Sequence, residues 1–599
     1  MTEPDPRTTT AIQQQQHAIR HPAPLYVQAC PGAGKTRVIV DRHLAGTSGG
    51  RGRALVSFTN VACDEVVRRC RQAGKPDLAS FLHYVDTIDT FLWRYLVRPF
   101  LSPGRQWHRI DSWDRIDATV EVGSGMNRYS VRLNDFQWSR TPGAEQCSAQ
   151  LQQNRRNIPT YKALSKLGLL ERAARSAVEK RDQLAKTGYL TGHEIRIIAL
   201  RTLEQHNDDA VTMLSGRFQE IVVDEAQDCS AHDLAIISRL RDAGIPLVFV
   251  CDPDQAIYEF RGALPSHVRT FGETLGAQAD LTGNWRSSPA ICALAATLRP
   301  TTATRPPDSP VGPNRDEPAG ILLIQTDGSQ PDKALSVFND HADRMGIPAE
   351  SRLALAHAEI SLPTASRASA SQPPTNYSAR IAWATAVAHS THNPSQRNTA
   401  YDILQRALLR YWYTDTDTDH RTVAAICDSL GIDPWQLRRQ AGQLAAALPD
   451  LDQGTFATWC KEANIQLKLL PPQPGMERRG QSGRLSASGA LKNKSPRAAG
   501  GAPMLRPATP VCASIVHQVK GEEEDAVLVI VPSDSRTAGL IDAWVTGDHP
   551  GDIAESLRVL YVATTRARRL LAIAMPGEAQ GRLAIFLKDK DVPFELAST

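Results

Sequence analysis

Short apolar runs, each with a polar exit and then a helical pattern, recur along this chain. Leu25-Tyr26-Val27 leads into a glycine-rich turn and then Val38-Ile39-Val40-Asp41-Arg42-His43-Leu44. Ala54-Leu55-Val56-Ser57 exits through Phe58-Thr59-Asn60 before Val61-Ala62-Cys63-Asp64-Glu65-Val66-Val67-Arg68. Val85-Asp86-Thr87-Ile88-Asp89-Thr90-Phe91 repeats the strand-then-polar pattern. Ile221-Val222-Val223 ends in two acids, and Leu247-Val248-Phe249-Val250 ends in a charged, aromatic loop. Apolar strands alternating with helices predict an α/β fold with parallel sheets, whose ligands sit at the carboxyl ends of the strands. Residues 1–10 read as a polar, disordered leader, followed by a short helix at Gln13–Ile19.

The alternation breaks twice. Residues 92–205 carry Trp93, Trp107, Trp113 and Trp138 and helical patterns around 161–186 and 193–204, which predicts an inserted domain. Residues 361–510 open Ser/Pro-rich and hold helical stretches near 378–389, 399–412, 421–428 and 434–447. They end in a Gly/Ser/Pro/Arg-rich segment, 471–506, expected to be a disordered basic linker beside a small helical remnant.

A chain of 599 residues is too long for one core and implies about three to five domains. Its 41% hydrophobic and 22% charged content is ordinary for a soluble globular protein. No apolar run approaches the ~18 residues needed to cross a bilayer, so no membrane contact is expected. The N-terminus shows no secretory signal. The ten cysteines include no Cys-x-x-Cys pair, which argues against zinc and iron–sulfur sites and for reduced thiols in a cytoplasm. The net charge of +4 hides an asymmetry: residues 471–506 carry seven Lys/Arg against one Glu, leaving the rest slightly acidic. That basic run is either a solvated tether or an electrostatic grip on a polyanion.

The candidate chemistry centres on Ala29-Cys30-Pro31-Gly32-Ala33-Gly34-Lys35-Thr36. Strand, glycine-rich turn, Lys-Thr and helix is the context of a phosphate-binding loop, although Ala29 stands where a glycine is usual. Backbone N–H groups and the helix N-terminus would cradle phosphates. Lys35 would reach the β/γ-phosphates and Thr36 would hold Mg²⁺. Gln15, just upstream, can read an adenine edge with its amide. Asp224, after a buried strand, would hold Mg²⁺ through water, and Glu225 would activate the attacking water. Gln255 can sense a γ-phosphate. Phe58, Tyr258 and Phe260 offer faces or flanks for bases, and Thr87 and Thr90 can hydrogen-bond a phosphate backbone.

Together these motifs resemble the UvrD/Rep/PcrA type of superfamily 1 helicase. Leu281-Thr282-Gly283-Asn284-Trp285-Arg286-Ser287, His517-Gln518-Val519-Lys520-Gly521-Glu522-Glu523 and Glu555-Ser556-Leu557-Arg558-Val559-Leu560-Tyr561-Val562-Ala563-Thr564-Thr565-Arg566-Ala567 continue the family's motif order. The resemblance implies two RecA-like P-loop domains with inserted, mainly helical accessory domains. Residues 1–91 and 206–280 would form the first, and 281–360 and 507–599 the second. The inserts would span 92–205 and 361–506. It further implies adenine stacking by Trp285, which replaces the usual Tyr or Phe, an adenine-flanking Arg37, and nucleotide contacts from Gly521 and the ribose-binding Glu523. Arg286 and Arg566 would be arginine fingers, and Asn60 and His517 would join the DNA contacts. The implied activity is ATP- and Mg²⁺-dependent 3′–5′ movement on single-stranded or tailed duplex DNA, in repair or recombination. A compact, Gabija-type anti-phage ATPase working with a separate nuclease is the alternative, drawn from the short Val519-Lys520-Gly521-Glu522 motif and the reduced accessory region. A nucleotide switch without motor activity is a third reading, opposed by the complete catalytic set. Arg352-Leu353-Ala354-Leu355-Ala356-His357 departs from the family, which often ends this strand in Tyr-Arg.

Overall fold

The computed structural model describes residues 5–45, 50–110, 113, 116, 118–124, 127–139, 148–153, 157–257, 264–300, 305–326, 330–357, 361–363, 373–374, 376–390, 394–412, 423–470, 472, 483–500, 510–519, 521–532 and 536–599. The chain divides into two compact units. The first comprises residues 1–103, 193–366 and 509–599, and the second 104–192 and 367–508.

The first unit holds two six-stranded, all-parallel sheets, the α/β architecture expected of RecA-like lobes. Strands β1 (Leu25–Ala29), β2 (Gly52–Ser57), β3 (Tyr84–Thr87), β4 (Phe218–Val223), β5 (Leu247–Cys251) and β6 (Gln278–Leu281) assemble in the order β6-β1-β5-β4-β2-β3. In β1, β2 and β5 every residue is buried, as a sheet covered on both faces requires. Strands β7 (Ile321–Gln325), β8 (Arg352–Ala356), β9 (Cys512–Ile515), β10 (Glu524–Ile530), β11 (Ala567–Met575) and β12 (Glu595–Ser598) form the second sheet, in the order β9-β8-β10-β11-β7-β12.

Helix α1 runs Pro6–Arg20. It therefore starts earlier than the disordered leader expected over 1–10 allows. Asp5 supplies the cap by accepting from Arg7 N–H, and Pro6 fits the first helical position, where no donor is needed. Helices α2 (Lys35–Leu44) and α3 (Asn60–Gln72) follow β1 and β2. At the opposite end of this sheet, Glu220 is buried between Arg42 and Arg53, with contacts of 2.6 and 2.5 Å.

The boundary of the first insertion falls inside the expected 92–205. Phe91, Tyr95, Tyr84 and Phe218 form one aromatic cluster that keeps residues up to 103 with the first unit. On the return, Arg196 of helix Gly192–Gln205 pairs with Asp89 at 2.6 Å and with the buried Asp233 at 2.7 Å.

In the second unit, residues 104–192 contribute two antiparallel strand pairs, Thr119–Val122 with Tyr129–Arg132 and Phe136–Ser139 with Ser148–Leu151, and helices Ile158–Lys166 and Leu170–Lys186. Residues 367–508 contribute helices Tyr377–Ser390, Pro394–Trp412, Val423–Leu430, Pro434–Ala447 and Phe456–Leu469. Trp383, Tyr411, Phe456 and Trp459 are fully buried in one apolar core. This corrects the expectation of a small helical remnant. The disordered-linker reading of 471–506 also fails over its described part. Leu485 and Ala499 enter the same core, Leu485 N–H donates to Asn464 Oδ1 at 2.9 Å, and Arg497 pairs with Asp452. Gly/Ser/Pro composition misled because these residues dock on apolar side chains supplied by distant helices.

Candidate functional site

The phosphate loop leaves the carboxyl end of β1, between β5 and β6, where the carboxyl ends of neighbouring strands open a crevice. Cys30 N–H donates to Leu281 C=O at 3.0 Å and Ala33 N–H to Cys30 C=O at 3.1 Å, fixing Pro31 and Gly32 in a tight turn. Gly32 and Gly34 hold φ of +69° and +80°, which side-chain-bearing residues rarely adopt. α2 begins at Lys35, with Thr36 next, so the loop and the positive end of the helix face the same space. Gln15 Nε2 donates to Ala33 C=O at 2.8 Å, so part of its amide braces the loop. Gln14 forms a reciprocal pair with Thr282, at 3.0 Å each way. Arg37 is exposed and pairs with Asp41 at 3.5 Å.

Two strands away, β4 delivers Asp224 and Glu225. Asp224 N–H donates to Val56 C=O, and Asp224 Oδ1 accepts Glu225 N–H, both at 2.8 Å. Glu225 itself has a φ of +51°, backbone strain held at the residue assigned to activate water. Gln227 donates to the Glu225 carboxylate and accepts from Asp252 N–H at 3.2 Å. Asp252 is fully buried, and its carboxyl is pushed up by burial against the pull of Arg305 and Lys35. Asp252 Oδ2 accepts from Gln255 Nε2 at 2.9 Å, and Gln255 Oε1 accepts from Arg566 Nη2 at 3.1 Å. Hydrogen bonds therefore run from the candidate base to a guanidinium of the second lobe. Gln227 and Asp252 were missed as site residues. Their signal lay in the stretches Asp224-Glu225-Ala226-Gln227 and Cys251-Asp252-Pro253-Asp254-Gln255, which leave the ends of β4 and β5.

The second lobe reaches the phosphate loop directly. Trp285 N–H donates to Gly32 C=O at 2.9 Å. Asn284, also missed, turns the chain by accepting from Arg286 N–H at 2.9 Å and Ser287 N–H at 3.0 Å. Arg286 pairs with Glu523 and donates to Thr565 C=O at 2.9 Å. Arg566 is buried and anchored on Val562 C=O at 3.0 Å. Burial first, and then the charge of Arg286, lower its pKa to about 9. Such a guanidinium is short of negative charge, which a phosphate would supply. Glu523 is shared between Arg286 and Arg568. Burial works to raise its pKa, but the two arginines outweigh it and hold the carboxyl below its usual range. Any ribose contact must compete with these pairs. Gly521 has a φ of +102° in the adjoining turn.

The candidate polymer contacts fall into a group at the ends of β2 and β3, His517 in the second lobe, and two residues outside the described ones. Phe58, half-buried, and Asn60, exposed, sit past the end of β2. Thr87, the last residue of the neighbouring β3, and Thr90, three residues on, share a 2.8 Å hydrogen bond at the same carboxyl end of the sheet. His517 follows β9 and stacks edge-on with His357, their ring centroids 5.9 Å apart. His357 thus occupies the strand end from which the family's Tyr-Arg is missing. Tyr258 and Phe260 lie outside the described residues.

Fold and site define a two-lobed α/β protein with a glycine-rich loop of the phosphate-binding type between strand and helix. Residues 11–275 match the UvrD/REP helicase N-terminal domain. The ATP-dependent DNA helicase Rep of Salmonella typhimurium is 26% identical over 305 residues, covering 47% of this chain and 42% of that protein. The ATP-dependent DNA helicase UvrD2 of Mycobacterium tuberculosis is 25% identical over 625 residues, covering 96% of this chain and 81% of that protein. RecBCD enzyme subunit RecB of Chlamydia trachomatis is 36% identical over 104 residues, 16% of this chain and 10% of that protein. The match with Rep thus spans about two fifths of that relative's length. Over residues 11–275 the chain is therefore UvrD/Rep-like. Among the described residues no helix is long and apolar enough to cross a membrane.

Proposed function

We propose that this protein is an ATP-dependent DNA helicase or translocase that moves 3′ to 5′ on single-stranded DNA and serves in repair or recombination. The observation that carries the reading is the convergence of Arg286 and Arg566, from the second lobe, on Gly32 and Gln255 of the first. Lys35 and the loop N–H groups bind the triphosphate. Thr36 and Asp224 would hold Mg²⁺, which supplies charge neutralisation at the β- and γ-phosphates. A hydroxyl and one carboxylate fit an ion that keeps most of its shell as water and phosphate oxygen. Glu225, oriented by Gln227, takes the proton of the attacking water. Arg566 and Arg286 stabilise negative charge developing on the transferred phosphoryl group. Loss of that group removes the attraction between lobes, and the cleft opens. Phe58 stacks on bases, and Thr87, Thr90, Asn60 and His517 bind the strand. Such contacts tolerate any sequence, as movement along DNA requires.

The expected result is ATPase activity stimulated by single-stranded DNA and displacement from 3′-tailed but not 5′-tailed duplexes. Lys35→Ala should abolish both. Wild-type protein without DNA-stimulated turnover would overturn the reading, and displacement from 5′ tails alone would reverse the polarity. The defence-complex alternative loses one support, because the accessory region thought to be reduced contains a helical core.

A further inference from the structure

The loop after β5, Asp252-Pro253-Asp254-Gln255-Ala256-Ile257, belongs by sequence to the first lobe but is held largely by the second. Asp254 has no role in the chemistry above, yet it is buried. Its carboxylate lies 3.0 Å from Arg299, 3.6 Å from Arg305 and 3.8 Å from Arg269. Arg299 and Arg305 follow helix Pro289–Thr297, whose apolar face enters the second lobe's core. Arg305 also pairs with Asp308 at 2.8 Å and donates to Tyr561 Oη at 2.9 Å. Tyr561 lies on helix Gly551–Thr564, and its C=O accepts Thr565 N–H at 3.1 Å in the turn that presents Arg566. From the same helix Arg558 Nε donates to Ala256 C=O at 2.7 Å. Ile257 is fully buried in the second lobe's apolar core. Gln255 is thus fixed on both sides by the second lobe, while its amide joins Asp252 to Arg566.

We propose that Asp254, caged by Arg299 and Arg305, is a positioning residue for phosphoryl transfer, setting the register between Gln255 and Arg566 through Arg305 and Tyr561. A carboxylate buried among guanidiniums is costly unless every charge is matched, so the cage has one well-defined arrangement. That arrangement ties the γ-phosphate sensor of one lobe to the arginine finger of the other. The inference rests on the ATPase reading above.

The test is steady-state ATPase with saturating single-stranded DNA, alongside thermal melting and binding of a fluorescent ATP analogue. Asp254→Asn keeps the shape and loses the charge. It should lower kcat by about tenfold or more, with KM and analogue affinity within about threefold, the pattern of a lost transition-state interaction. The double variant Asp254→Asn/Arg299→Gln rebalances the cage charge and should recover melting temperature while kcat stays low. Recovery of kcat together with melting temperature would overturn the proposal, since that is the behaviour of a purely structural residue. Tyr561→Phe removes one hydroxyl and should lower kcat by about two- to fivefold at unchanged KM. If Asp254→Asn does not fold, an unchanged kcat in Tyr561→Phe overturns the proposal. A wild-type protein without DNA-stimulated ATPase sinks the parent reading as well. An active wild type with an equally active Asp254→Asn sinks this inference alone.

Discussion

Gly32→Ala isolates the contact between lobes from the chemistry within one. A Cβ added at Gly32 would lie 2.6 Å from Arg286 Cβ, 2.7 Å from Asn284 Oδ1 and 3.3 Å from Arg286 N. Arg286 Cβ and N move only with the backbone, and Asn284 Oδ1 is held by the N–H groups of Arg286 and Ser287, so the second lobe must retreat. The φ of +69° adds a cost of about 1–2 kcal/mol for alanine, but that strain is carried whether the lobes meet or not. Overpacking of this kind costs roughly 1–3 kcal/mol, and it falls only on the arrangement in which Arg286 sits against the loop. The closed population, and with it kcat, should therefore drop about 5- to 160-fold. Gly34→Ala supplies the comparison. Its φ is +80°, and its Cβ would meet Gln15 Nε2 at 2.9 Å and Arg37 Cβ at 3.9 Å, all in the first lobe. The assay is DNA-stimulated ATPase for both variants, with melting curves to confirm folding. A folded Gly32→Ala protein whose kcat matches or exceeds that of Gly34→Ala would refute the reasoning.

Glu225→Gln should retain nucleotide binding and lose turnover by about 10²- to 10⁴-fold, the usual worth of a positioned base; loss of ATP binding would remove Glu225 from that role. Glu220→Gln should cost about 3–5 kcal/mol in urea denaturation, because Arg42 and Arg53 would keep two buried charges without a carboxylate; a change under about 1 kcal/mol would show water reaching the site. His43 is buried and its pKa falls from 6.5 to about 4, first through desolvation. The unfolded chain takes up a proton below pH 6.5 that the folded chain refuses until about pH 4. His43 therefore stabilises the fold fully above pH 6.5, and that contribution of roughly 3 kcal/mol is lost as pH falls to 4. Denaturation of wild type and His43→Gln at pH 7.5 and 5 checks this, and equal losses on acidification would contradict it.

Sequence alone determined the parts of this protein that depend on local order. A buried strand, a turn needing positive φ, and a Lys-Thr at a helix start are contiguous in the chain, so the phosphate loop was legible without coordinates. The same holds for the placement of Asp224 and Glu225, which follow directly on an apolar strand. The helical stretch expected near 434–447 is helix Pro434–Ala447, which Asp433 caps and Pro434 starts. What depends on distant partners was not legible. Residues 483–500 look like linker until Trp383, Tyr411 and Trp459 gather from separate helices to give them a core. Arg196, after the first insertion, likewise owes its place to Asp89 and Asp233. Only the folded chain decided that Glu523 would share itself between Arg286 and Arg568, and that Asp254 would be caged by arginines from beyond its own sheet. Charges buried at a junction are matched by whichever opposite charge the fold brings within a few ångströms, and spacing along the chain carries no record of that.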